Sequence, residues 1–255
     1  MLWYKAWLET RWRFLIGLAI LLVTAGGVVI GYPRVMELMP LVPKTDTGGE
    51  LGRLIKEAAE LARTYRGYVW SQWFRQNLSQ TWTLLAVLLG TGGLLAQTSG
   101  GGALFTLSLP VTRNQLVGVR AATALVELLV LALVPSLLIP ALSPAIDQSY
   151  SIVDALVHAG CLFVAGTVFF SIAFLLSTVF SDVWRPALIA LCVAFALALL
   201  ERVLRDSGGF GLYRVMTAES YFRTGVLPWL GLLASTVVSI AMLYAAIKNM
   251  ARQDF

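Results

Sequence analysis

Apolar residues fill this chain in long unbroken runs, and polar residues collect between them. The runs fall near 14–32, 78–96, 121–139, 154–176, 186–204 and 226–247. Each approaches the ~20 residues with which a helix crosses ~30 Å of hydrocarbon at 1.5 Å per residue. A membrane barrel would instead alternate polarity in ~10-residue segments, whereas these runs are continuous and rich in Leu, Ala, Val and Gly. The pattern predicts an all-α integral membrane protein with six transmembrane helices, folded as one domain over 1–255. The first run is too long for the apolar core of a signal peptide and is read as retained.

The intervals carry patterns of their own. In 1–13, Leu2, Trp3, Trp7, Leu8 and Trp12 interleave with Lys5, Glu9, Arg11 and Arg13, which predicts an amphipathic helix lying in the headgroup layer. The polar interval 33–76, expected outside the cytoplasm, holds Leu51, Leu54, Ile55, Ala58, Leu61, Ala62 and Tyr65 at helical spacing. Arg53–Glu57 and Lys56–Glu60 add i,i+4 pairs, so an amphipathic helix is expected from Leu51 to Arg66. Trp70, Trp73, Phe74 and Trp82 gather where the chain re-enters, as aromatic residues do at a membrane interface. Prolines mark the expected ends: the first span before Pro33, the third stopped by Pro140 and Pro144, the fifth opened by Pro186. Residues 206–225 read as a Gly-rich polar loop.

Composition agrees with this layout. The chain is 58% hydrophobic and 13% charged, with a mean hydropathy of +0.78, where soluble domains carry about 25% charged residues. The net charge of +5 comes from bases at the ends of spans, where they meet lipid headgroups, so no nucleic-acid partner is expected. Six spans put both termini on one side. There Lys5, Arg11, Arg13, Arg113, Arg120, Arg185, Lys248 and Arg252 outnumber Glu9, Asp182 and Asp254. The positive-inside rule then makes the termini of this multi-pass protein cytoplasmic. Cys161 and Cys192 lie inside apolar runs and imply neither a disulfide framework nor a metal site.

Catalytic patterns are missing. There is no GxxxxGK[ST], HExxH or CxxC, and one histidine does not make a histidine metal site or a Ser-His-Asp triad. The chain is therefore expected to be non-catalytic and to bind no cofactor itself. Glu127, about two turns into the third span, has two readings: protonated or bonded to a Ser or Thr of a neighbouring helix, or part of a pathway or gate. His158 and Glu201, near the outer ends of their spans, read as interfacial anchors.

The segment 98–120 is apolar where a cytoplasmic connection should be polar. Ala103, Leu104, Leu107 and the Leu109-Pro110-Val111 corner form a greasy edge, with Thr112, Arg113, Asn114 and Gln115 just beyond. A helix floating on the membrane and a helix docking into a partner's groove both fit. The run GGALFTLSLPVTRNQLVGVR, 101–120, resembles the Gly-x-Leu-x-x-Leu-Leu-Ser-Leu-Pro-Val-Ser-Arg-x-x-Leu segment of type-2 ABC transporter permeases. Lys5-Ala-Trp-Leu-Glu9-Thr-Arg11 is similar to that family's amphipathic elbow helix. Leu176-Ser177-Thr178-Val-Phe180 resembles its link before the fifth span, and Ala251-Arg252-Gln-Asp254-Phe255 resembles its Arg-Arg-Asp-Phe ending. The family usually places a charged stretch before the Gly-x-Leu element, where this chain has Gln97-Thr98-Ser99-Gly100. The resemblance implies the transmembrane subunit of an exporter in the bacterial inner membrane, working as a homo- or heterodimer of permease chains. It also implies a separate ATP-binding subunit, which would hold the ATP and Mg. By the same resemblance, 98–120 is the cytoplasmic coupling helix, with Leu104, Leu107, Ser108, Leu109, Pro110, Val111 and Arg113 contacting the ATPase. The alternative is an ABC-like membrane anchor or scaffold that passes ATP-driven motion to a periplasmic partner through 33–76 without transporting a substrate.

Overall fold

A computed structural model describes residues 2–38, 59–91, 113–180, 182–203 and 211–252. In chain order the helices are α1 (Leu2–Leu38), α2 (Tyr65–Val69), a π-helix (Trp70–Leu78), α3 (Ser79–Gly90), α4 (Arg113–Leu142), a 3-10 turn (Ser143–Ile146), α5 (Ile152–Ser177), α6 (Trp184–Val203), α7 (Leu212–Met216), α8 (Glu219–Thr224) and α9 (Trp229–Ala251). No strand occurs among the described residues. Five helices, α1, α4, α5, α6 and α9, are long and apolar enough to cross a membrane.

α1 departs from the expected elbow-plus-span. Its buried positions Ala6, Thr10, Phe14, Gly17, Leu21, Ala25, Val28 and Tyr32 follow one another at three- and four-residue steps, so one face continues from the first turns into the bundle. No Gly or Pro interrupts the first sixteen residues, and 1–13 does not bend away as a separate helix. At 37 residues the helix is about 55 Å long, well beyond ~30 Å of hydrocarbon. The helix is therefore longer than a single crossing requires. Pro33 does not end it, and five more residues remain helical.

Proline fails as a stop in α4 too. Pro135 and Pro140 both lie inside Arg113–Leu142, so the third span does not end at Ile139. In an apolar bundle a broken helix would expose backbone groups with no water to satisfy them. Near the prolines Ser136 donates to the Ala132 carbonyl at 2.6 Å and Ser143 to that of Ile139 at 2.7 Å, neither being a carbonyl that Pro135 or Pro140 frees.

The 65–90 run is helical from end to end, although its middle is π-helical. It starts at Tyr65, a dozen residues before the expected second span. The predicted helix 51–66 does not reach Arg66 as one piece: 59–62 is helical, Arg63 and Thr64 turn, and Thr64 caps the next helix by accepting from the Gly67 N–H at 3.2 Å. Residues 51–58 of that prediction, and 92–96 of the second span, lie outside the described residues.

Contacts fix the directions. Tyr68 meets Gly31, Leu85 meets Gly17 and Arg13 reaches Leu88, so 65–90 runs antiparallel to α1. Glu127 meets Thr10 and Leu142 meets Gly26, so α4 runs parallel to α1. Trp82 lies against Gly166 and Gly90 against Phe170, which makes α5 parallel to α3. Gly166 leaves no room for a Cβ, because the Trp82 ring fills that space while its Nε1 donates to the Leu128 carbonyl at 3.1 Å. Asn249 of α9 donates to Thr178, just past the end of α5. α5 and α9 match their predicted spans within a few residues, and α6 starts at Trp184, placing Pro186 third. The expected loop 206–225 is instead folded where it is described: α7 and α8 bury Val215, Met216 and Ala218 against the bundle.

Candidate functional site

Two polar clusters occupy opposite ends of the bundle. The one at the end where α1 starts, named inner for that position alone, joins α1, α3 and α4 and contains Glu127. That side chain is 3% exposed and accepts a hydrogen bond from the Thr10 hydroxyl through Oε1. A bond to a neighbouring helix's hydroxyl, one of the readings of Glu127, is present, and it leaves the pathway or gate reading untouched. Two turns earlier on α4, Arg120 pairs with Glu9 at 3.3 Å, their side chains 12% and 26% exposed. One turn on from Glu9, Arg13 donates to the carbonyls of Leu88 at 2.8 Å and Thr91 at 3.4 Å. Those carbonyls belong to the last turn of α3, where a helix leaves its acceptors unpaired and gathers negative charge. Glu127 Oε2 and Arg120 Nε are buried with no partner. The network is thus incompletely satisfied.

The predicted ATPase-contact residues Leu104, Leu107, Ser108, Leu109, Pro110 and Val111 lie outside the described residues. Arg113 is the first residue of α4. The structure thus brings Glu127 together with Thr10, and with Glu9 and Arg120 just beside it, none of which the sequence linked to it.

The outer cluster was largely invisible in the sequence. Trp70 stacks flat on Phe222, with centroids 4.3 Å apart, and its Nε1 donates to the Thr217 carbonyl at 3.0 Å. Tyr32 packs against Tyr65 and Tyr68, and the Tyr65 hydroxyl shares a 2.8 Å hydrogen bond with Ser143. Arg66 pairs with Asp154 at 2.9 Å, and Tyr221 donates to the other oxygen of that carboxylate at 3.0 Å. His158 is no interfacial anchor: it is fully buried, stacked on Phe74 at 4.5 Å. Its Nδ1 lies 2.6 Å from the Asp154 carbonyl. A carbonyl only accepts, so Nδ1 carries the hydrogen and Nε2, buried without a partner, holds the lone pair. Glu201 does tie the outer side down, accepting from the Tyr213 N–H at 2.9 Å where α7 begins. Burial, and then the Asp154 charge, push the Tyr150 hydroxyl above its ordinary range. Tyr221 moves the same way, first because its hydrogen is engaged by Asp154.

Among the described residues no group of three His, Cys, Asp or Glu is placed to hold a metal. Chemically, both clusters hold helices together. The signal for the outer one was the density of Trp and Tyr in 65–82, read only as an interface belt; nothing in the sequence tied it to 213–222. Comparison with protein-family models, curated proteins and solved structures returned no match to this chain.

Proposed function

We propose that this chain is the membrane-spanning permease subunit of a type-2 ABC exporter in the bacterial inner membrane. It crosses six times, forms the pathway with a second permease chain, and is driven by a separate subunit that binds ATP and Mg. The observation that carries the reading is the apolar 101–120 run with its Leu-Ser-Leu-Pro-Val-Thr-Arg core, which leads straight into α4 at Arg113. The fold supports it in three ways. Five long apolar helices suit a multi-pass protein. The run 65–90 exceeds the ~20 residues of a crossing and lies antiparallel to α1 and α4, so Thr91 and the start of α4 both lie at the end where α1 starts. Thr178 and Asn249 bring the α5–α6 link and the last turn of α9 together at one end. In this reading the straight first turns of α1 stand in place of an elbow helix.

The double substitution Leu107→Ala with Leu109→Ala tests it. Truncating a buried interface anchor costs about 2 kcal/mol or more, so the variant should insert and dimerise normally but lose its ATP-binding subunit on purification. Undiminished capture of that subunit, or its absence from the wild-type complex, overturns the reading. The scaffold alternative draws on the folded outer end, where α7 and α8 close over Trp70. ATP hydrolysis without substrate movement in reconstituted liposomes would favour it.

A further inference from the structure

We infer that one turn of α1, Glu9 to Arg13, is a clamp that ties together the two helices flanking the 92–112 connection, so that α3 and α4 move at their inner ends only with α1. The clamp's purpose, passing force from a bound ATPase to α1, rests on the permease reading; its geometry does not.

Each half of the clamp crosses between elements. On one side the Arg13 guanidinium holds the Leu88 and Thr91 carbonyls, the last acceptors of the helix that enters the connection. On the other, Glu9 holds Arg120 and Thr10 holds Glu127, both on the helix that leaves it. Arg120 and Glu127 are seven residues apart, two turns along one face of α4, and that face meets α1. Glu9 and Arg13 are one turn apart on α1, so a single rigid segment carries both sets of contacts. Within the set Glu9 and Arg120 form an ion pair, and Arg13 is held by backbone carbonyls.

The burial of these groups makes the halves interdependent. An exposed ion pair contributes little. Here Glu127 is 3% exposed and the Arg120 side chain 12%, so losing one partner leaves a charged group stranded in a dry site. Both already have one atom without a partner. The cheapest response to a lost contact is therefore a shift of α1 as a whole, which releases the other half. α3 and α4 also meet directly where Trp82 donates to the Leu128 carbonyl, one residue past Glu127, so the shift pivots there and is felt at Arg120 and the last turn of α3.

Hydrogen–deuterium exchange on the full-length chain in lipid nanodiscs tests this without knowledge of any partner. Arg13→Met removes only the hold on α3. If the turn is a clamp, exchange should rise about tenfold or more both at 85–91 and at 116–124 on α4, as a jointly opening unit does. Thr10→Val, a milder change on the α4 side, should likewise raise exchange at 85–91, and it serves if Arg13→Met does not yield folded protein. Lys248→Met on exposed α9 is the control and should alter neither region. A rise confined to the helix whose own contact was removed overturns the clamp. Capture of an ATP-binding subunit is scored separately. Joint opening without such a subunit keeps the clamp and sinks the permease reading; local opening with the subunit bound does the reverse.

Discussion

The two ends of the bundle are held by different physics. At the outer end, large rings meet over wide areas: Trp70 on Phe222, Phe74 on His158, Tyr32 between Tyr65 and Tyr68. Such pairs add ~0.5–1.5 kcal/mol each beyond the area they bury, and losing one leaves the others standing. At the inner end, Arg13, Glu9, Arg120, Thr10 and Glu127 meet through a few directional contacts. Those contribute little net when complete and cost much when half-broken. One end is built to stay put and the other to change as a unit. Under the permease proposal, that division supplies a fixed frame at one end and few intermediate states at the other.

The largest expected effect breaks the outer end. Trp70→Ala removes a fully buried ring, its stack on Phe222 and its hydrogen bond to Thr217. Burial of that size corresponds to about 3–5 kcal/mol, read as a fall in unfolding free energy in detergent micelles. A loss below about 1 kcal/mol would show that the outer frame does not depend on its rings. Next comes the inner end. Glu127→Gln keeps an acceptor for the Thr10 hydroxyl and should stay close to wild type. Glu127→Leu removes the cross-helix bond, leaves the Thr10 hydroxyl only the Ala6 carbonyl of its own helix, and takes an acidic group from beside Arg120, costing about 1–3 kcal/mol. Equal effects of the two substitutions would mean that the hydrogen bond is idle and only volume matters.

The contrast between the ends also explains what the sequence disclosed. Hydropathy located α5 and α9 within a few residues, because a membrane span is recorded locally, in the residues that make it. It stopped α4 at Ile139 and α1 before Pro33, because the rule that proline ends a helix assumes water ready to take the freed carbonyls. Residues 2–13 looked like a surface helix: Trp3 and Trp12 are exposed, but Ala6 and Thr10 on the other face continue the buried stripe of α1. Glu127 stood out as a charge inside a span, yet Thr10 lies 117 residues away and nothing local pairs them. The outer cluster is the extreme case: Trp70 finds Thr217 across 147 residues, and His158, expected at the interface, is buried because Phe74 arrives from another helix. Pairing between distant segments is what periodicity leaves out.

A smaller effect sharpens the comparison by removing charge from the outer end. The Arg66 side chain is 50% exposed where it meets Asp154, so solvent screens the pair and its worth is discounted to about 0.5 kcal/mol. Arg66→Ala should therefore cost far less than Trp70→Ala in the same unfolding assay. Its cation–π contact with Phe222, 5.5 Å from the ring, adds at most a comparable amount. If Arg66→Ala proved as damaging as Trp70→Ala, charge would be holding both ends and the division of labour would collapse.

The smallest effect is a pH dependence confined to the outer end. Tyr150 lies between the 3-10 turn and α5, with its hydroxyl buried and unpartnered. Burial first, and the Asp154 carboxylate second, raise its pKa from the ordinary 10.0. A raised value means that the folded protein holds the proton longer than the unfolded chain does. Below about pH 10 the hydroxyl is neutral in both states and contributes no slope. Above about pH 10 the unfolded chain deprotonates first, so the stability associated with this group falls as pH rises. Tyr150→Phe removes the titrating group and leaves the ring against Phe74 and Tyr65. Because that hydroxyl has no partner, its loss should be neutral or slightly stabilising near neutral pH. The variant should also lose part of the alkaline decline seen in the wild type, while Tyr221, raised in the same direction by its bond to Asp154, keeps the rest. Unfolding free energies of the two proteins at about pH 8 and about pH 11 give the answer directly. An identical decline in both would mean that water reaches Tyr150, and that the outer end is less tightly closed than its rings imply.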